Sequence, residues 1–126
     1  MGQNESNSNL KSIYEYILLN DTWIPRSAMP FGRGHTGTSS MAFGCGFLVA
    51  GGAVNSGTNQ LVQTDDISYY SSYNDTWTSI GKLYNKMKTP ICSITFIPLP
   101  IGKHYMFCTT GYRFYTYRRE IKLVPA

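Results

Sequence analysis

Residues 13–23, IYEYILLNDTW, return as residues 67–77, ISYYSSYNDTW. Six of the eleven positions are identical: Ile13/Ile67, Tyr16/Tyr70, Asn20/Asn74, Asp21/Asp75, Thr22/Thr76 and Trp23/Trp77. An offset of 54 residues belongs to repeats in which each unit is one small sheet that buries its faces by stacking on its neighbours. Both copies follow one local logic. Apolar and aromatic residues before the Asn build a strand. Asn-Asp makes a turn, because both side chains bond the local backbone and tolerate unusual dihedrals. Thr-Trp opens the next strand, where β-branched and aromatic residues suit a pleated surface.

Composition agrees with that pattern. Only 14% of residues are charged, while Gly numbers 12 and Tyr 10, which points to many short strands joined by tight turns. CGFLVAGG, residues 45–52, reads as a buried strand ending in a glycine pair. The pair implies close backbone packing or a positive-φ turn.

A strand ending in Gly51-Gly52, a Tyr in the next strand (Tyr70), a turn, then Trp77, with Arg33-x-His35 opening the innermost strand, together resemble the kelch repeat. The same repeat builds the propeller of galactose oxidase. The resemblance covers residues 12–124, one repeat well and its neighbours partly. Tyr16 and Trp23 are the matching structural positions of the first copy. The resemblance implies an all-β fold: a partial kelch-type β-propeller of four-stranded antiparallel blades, not a closed ring. Residues 1–11 form a polar leader, expected to be disordered. Residues 12–26 form half a blade, with strands over 12–17 and 22–26. Residues 35–80 form a full blade, with strands over 35–43, 46–51, 65–71 and 76–80. Residues 91–124 form a degenerate blade, with strands over 91–97, 104–110, 112–118 and 120–124. This last blade has Thr110-Gly111 in place of Gly-Gly, no Arg-x-His and no Trp.

A propeller closes with about five to seven blades of roughly 50 residues. A chain of 126 residues would leave apolar blade faces uncovered. It is therefore expected to be a piece of a larger propeller, or to self-associate through its open faces. The function implied is a non-catalytic scaffold mediating protein–protein interaction, its protein partner unidentified. The alternative is a non-catalytic portion of a secreted, galactose oxidase-like, carbohydrate-associated protein. No enzymatic activity and no cofactor are expected. The oxidase's copper chemistry draws two His, two Tyr and a cross-linked Cys from several blades, and His35 and His104 are the only histidines here.

Several residues carry candidate contacts. Arg33 and His35 stand where the innermost strand begins, either to meet a ligand at the channel mouth or to bond loop carbonyls. In Tyr112–Arg119, strand alternation puts Arg113, Tyr115, Tyr117 and Arg119 on one face and Arg118 on the other. Aromatics interleaved with Arg can hold an anionic partner, or fill blade faces with their polar ends wet. Nucleic acid is not the partner expected. Asp65 and Asp66 are adjacent on a strand and point to opposite faces, a poor acid–base dyad. Cys92 and Cys108 are equidistant from a hairpin centred near Pro100. A symmetric turn would set them opposite each other, bonded or free. Asn4, Asn20 and Asn74 head glycosylation sequons that matter only in a secreted protein.

Net charge is +4, unevenly spread. Residues 1–76 hold three basic and six acidic side chains, and residues 77–126 hold eight basic and one acidic. The basic half can attract anionic partners or simply solvate its strands. No apolar run approaches the roughly 20 residues of a membrane helix. A cytoplasmic location is expected for the chain as written, and an extracellular one if a longer parent carries a signal peptide.

Overall fold

The computed structural model describes Gly2 and residues 9–55, 61–87, 89–100, 102–110 and 113–121; at Asn55, Leu61, Thr110 and 113–121 it describes the backbone only. Among the described residues there is no helix, and the strands form antiparallel sheets that do not close into a barrel. The all-β, open architecture expected from the repeat is therefore present.

The first copy of the repeat is a hairpin of β1 (Ile13–Ile17) and β2 (Thr22–Arg26), with Tyr16 opposite Trp23. The second copy lies in a five-stranded sheet, four strands of which form its main ladder. These are β3 (Ser40–Phe43), β4 (Gly46–Ala50), β6 (Leu61–Ser71) and β7 (Thr76–Met87), in that order, with Tyr70 opposite Trp77. A short β5 (Ala53–Asn55) adds to the early part of β6. The third sheet comprises β8 (Pro90–Ile97), β9 (Lys103–Thr110) and β10 (Arg113–Ile121).

Several features depart from expectation. The strand expected over 35–43 begins only at Ser40, because residues 37–39 turn and His35 takes a φ of 58°, so Arg33 and His35 precede the strand instead of opening it. The strand expected over 65–71 begins at Leu61, where β5 pairs with it. The strand expected over 76–80 runs on to Met87, because its far half pairs with the start of β6, Thr64 opposite Met87, across two register shifts. The strands expected over 112–118 and 120–124 are one strand, β10, whose ladder to β9 is unbroken from Thr116 to Ile121. The third sheet thus has three described strands. Residues 9–11, assigned to a disordered leader, are tied down. The Leu10 carbonyl accepts from Arg33 N, the Lys11 carbonyl accepts from Met29 N, and Asn9 Nδ2 donates to the Ala53 carbonyl at 2.7 Å. Backbone groups of residues 29–33 would otherwise lack partners.

Strand alternation explains the layering. Leu48, Ala50 and Ile67 point to one face of the central sheet and are fully buried. With Leu83 and Met87 they pack on Met106 and Cys108 of β9. Each buried Leu, Ile or Met among them contributes about 1.5–3 kcal/mol on burial. The other face carries Phe47, Tyr70 and Trp77 toward the first hairpin. Gly51 (φ 62°) and Gly52 (φ 102°) make the turn out of β4. Both donate back into the sheet, to Asp66 O and Met87 O. A Cβ at Gly52 would stand 2.7 Å from the Gly34 carbonyl. Positive φ and close approach both apply.

Candidate functional site

The first hairpin and the central sheet enclose a groove of about 820 Å³. The hairpin lines it with Tyr14, Glu15, Trp23 and Arg26, and the sheet with Cys45, Phe47 and Tyr70. Each wall follows from local sequence. Glu15 and Arg26 lie across the β1–β2 ladder, and Arg26 Nε donates to Glu15 Oε2 at 2.7 Å. That bond, with the carboxylate charge, raises the Arg26 pKa. Cys45 sits in the tight β3–β4 connection after Gly44 (φ 56°). Opposite it, the end of β6 brings Tyr69 and Ser71 within bonding distance of its sulfur, at 3.4 and 3.5 Å.

Those neighbours change the thiol's chemistry. Bonds from Tyr69, Ser71 and the Tyr73 backbone favour the thiolate and lower the Cys45 pKa to about 7. At neutral pH about half of Cys45 is then nucleophilic, against a few per cent of an ordinary thiol near 8.5. Cys45 is exposed, and the other two cysteines are bonded to each other. Iodoacetamide should therefore modify one cysteine, with a rate that rises half-maximally near pH 7. Tyr69→Phe should move that midpoint upward and slow the reaction at pH 7 several-fold; mass spectrometry against pH reads both. An unchanged midpoint would show that Tyr69 does not hold the thiolate.

The hairpin is locked to the sheet at one residue. Ser27 N and Oγ donate to the two carboxylate oxygens of Asp75, at 2.9 and 3.0 Å. The Ser27 carbonyl accepts from Trp77 Nε1 at 2.8 Å. Asp75 is aimed by its turn (φ 54°) and by Tyr70, whose hydroxyl donates to it at 2.7 Å. Burial, then the bond to Asp75, pushes the Tyr70 phenol up to about 12. The Ser27 backbone N–H, then Tyr70, holds the Asp75 carboxyl below its ordinary value.

The residues singled out in the sequence fall in different places. Arg33 is wholly buried: it donates to Val49 O at 3.0 Å and to Asp66 Oδ2 at 2.6 Å, and its guanidinium stacks 4.7 Å from the Phe31 ring centroid. It bonds a backbone carbonyl and a carboxylate inside the fold. His35 is exposed, at φ 58°, beside Arg33 in sequence but not in environment. Asp66 faces Arg33, Ser68 and Ser79. Arg113, Tyr115, Tyr117, Arg118 and Arg119 lie on the β10 backbone, and their side chains, with all of Tyr112, are outside the described residues. Of these residues, Arg33, His35 and Asp66 have described side chains, and none of the three lines the groove.

Sequence reasoning passed over Cys45, Ser27, Glu15 and Arg26. The Asn-Asp turn signalled Asp75, but nothing local marks Ser27, which is 48 residues away. Among the described residues no group of three His, Cys, Asp or Glu side chains is placed to hold a metal ion, and no helix is long and apolar enough to cross a membrane. No protein-family model matches the chain, and no curated protein matches it.

Proposed function

We propose that the chain is a kelch-type repeat scaffold that binds a protein partner in the groove between its first two sheets, and that it performs no catalysis. The supporting observation is the recurrence of one Tyr–Asp–Trp arrangement in both copies of the repeat. Tyr16 and Tyr70 each donate to the Asp five residues on, and each ring packs on its Trp, at 4.9 and 5.3 Å. Such duplication is what stacked, equivalent blades require. The groove adds an aromatic wall, an ion pair and a polar rim, the combination that peptide and protein contacts use.

The reading is tested with a phage-displayed library of random 12-residue peptides panned against the folded chain. Selected peptides should slow alkylation of Cys45 by shielding the groove, and Arg26→Ala should weaken them about tenfold. Peptides that leave Cys45 reactivity unchanged, or a library yielding no binder tighter than about 100 μM, would count against the groove.

A second reading, a non-catalytic part of a secreted galactose oxidase-like protein, is favoured by the Cys92–Cys108 disulfide, a bond that persists in oxidising compartments. Asn20 and Asn74 also stand exposed in their turns, each two residues before a Thr. Expression through a yeast secretory pathway, with a glycosidase-sensitive mass at either Asn and binding on a glycan array, would favour it. Secretion without a glycan at either site would count against it.

A further inference from the structure

The lock at Ser27 has a twin that no described residue fills. Asp75 and Trp77 read every polar group of Ser27 except its neighbours' backbone: the carboxylate takes the N–H and the hydroxyl, and the indole N–H gives to the carbonyl. Fifty-four positions earlier, Asp21 and Trp23 hold the same geometry. Asp21 has φ 50° where Asp75 has 54°. Tyr16 donates to Asp21 Oδ1 at 2.5 Å as Tyr70 donates to Asp75 Oδ1 at 2.7 Å. The Tyr16–Trp23 rings meet at 42°, the Tyr70–Trp77 rings at 48°.

The surroundings differ. Tyr70 is 4% exposed beneath the hairpin that occupies its lock, whereas Tyr16 is 39% and Trp23 65% exposed. Among the described residues, Asp21 Oδ2 and the indole N–H of Trp23 make no hydrogen bond. Tyr14, Leu18 and Leu19 extend the same hairpin as exposed apolar surface. Exposed aromatic and aliphatic side chains on the hairpin that carries these two polar groups are suited to a contact surface.

The geometry points to Asp21 and Trp23 as an open receptor for the end of an outer strand from a further unit of this repeat, gripping a serine through its N–H, hydroxyl and carbonyl. The occupied twin supplies the chemistry. The incoming chain must arrive extended, as Ile24–Arg26 does before Ser27, and then expose three groups of one small residue. A proline at that residue has neither donor, and so cannot be held. The inference stands on the two matched turns and not on the groove reading.

The test uses the full chain labelled with 5-fluorotryptophan, which gives one fluorine resonance for Trp23 and one for Trp77, assigned with Trp23→Phe. The probe is a synthetic peptide of residues 22–31, TWIPRSAMPF, which carries Ser27 in its own flanks. The Trp23 resonance should shift saturably, with Kd from about 0.1 to a few mM, while the Trp77 resonance stays in place because its lock is filled. The same peptide with Ser27→Pro should bind at least about tenfold more weakly, and so should the wild-type peptide to the Asp21→Asn chain, each losing hydrogen bonds of the charge-assisted kind. An unshifted Trp77 resonance in Asp21→Asn reports that the fold is intact. The inference is overturned if Trp23 does not respond at about 5 mM peptide, if both resonances move together, or if the proline peptide binds equally well. Loss of groove peptides with this shift retained would instead sink the scaffold reading alone.

Discussion

Arg33→Met should destabilise the protein by about 2–4 kcal/mol, somewhat less than the cost of orphaning one member of a fully buried ion pair, because the Asp66 side chain keeps 16% of its exposure. Total stability for a domain is only about 5–15 kcal/mol, so this one change should remove a large share of it. Arg33 is 0% exposed, and its guanidinium joins β4 through Val49 O to β6 through Asp66. Methionine fills the volume and supplies no donor. Asp66 would keep its bonds from the Ser68 and Ser79 hydroxyls and lose that from the guanidinium. Urea denaturation followed by Trp77 fluorescence measures the loss. Adding Asp66→Asn to Arg33→Met should restore part of it, because the orphaned charge is gone. A loss below about 1 kcal/mol, the range of surface pairs, would mean that the pair is solvated.

The same pair sets a pH dependence. Burial alone would raise the Asp66 carboxyl, but bonds from Ser68, Ser79 and Arg33 outweigh it and hold the group below its ordinary value. A carboxyl lowered by folding stabilises the fold above the unfolded value of about 3.9. That stabilisation is lost as pH falls through the lower folded value. Stability should therefore drop in acid below about pH 4, and the drop should be shallower in Arg33→Met.

Removing the Cys92–Cys108 disulfide should cost about 3 kcal/mol, the entropy of a loop near 15 residues, since the two cysteines are 16 positions apart. They face each other across the β8–β9 ladder with Cα atoms 4.1 Å apart. Cys108 is wholly buried against the central sheet beside Met106. The third sheet has only three described strands, so its hairpin depends more on this tie than the central sheet does. Cys92→Ala with Cys108→Ala should lower the melting temperature by roughly 10 °C or more. An equal melting temperature for the oxidised chain and the double alanine variant would show that the ladder holds without the bond.

The strands of the first hairpin were legible almost to the residue. Asn-Asp and Thr-Trp state a turn and a restart within a few positions, and turn chemistry is local. The opposition of Cys92 and Cys108 was legible for the same reason, since a hairpin's register follows from its centre. The length of β7 was not. Gly81, Lys82, Asn85 and Lys86 read as the end of a strand, yet the early half of β6 offers a free ladder and the pairing continues to Met87. Propensity yielded to an available partner.

Arg33 shows the boundary in the candidate site. A charged side chain between glycines reads as a surface contact, because burying it is costly without a partner. That partner, Asp66, is 33 residues on. Cys45 reads as an ordinary thiol until β6 brings Tyr69 and Ser71 to its sulfur, 24 and 26 residues away. The sequence alone determined where the backbone turns and which unit repeats, since those follow from contacts a few residues apart. Tertiary structure alone decided which carboxylate meets Arg33 and which serine fills the Asp75–Trp77 lock. Each of those depends on two distant segments reaching the same place, and neither segment encodes the other.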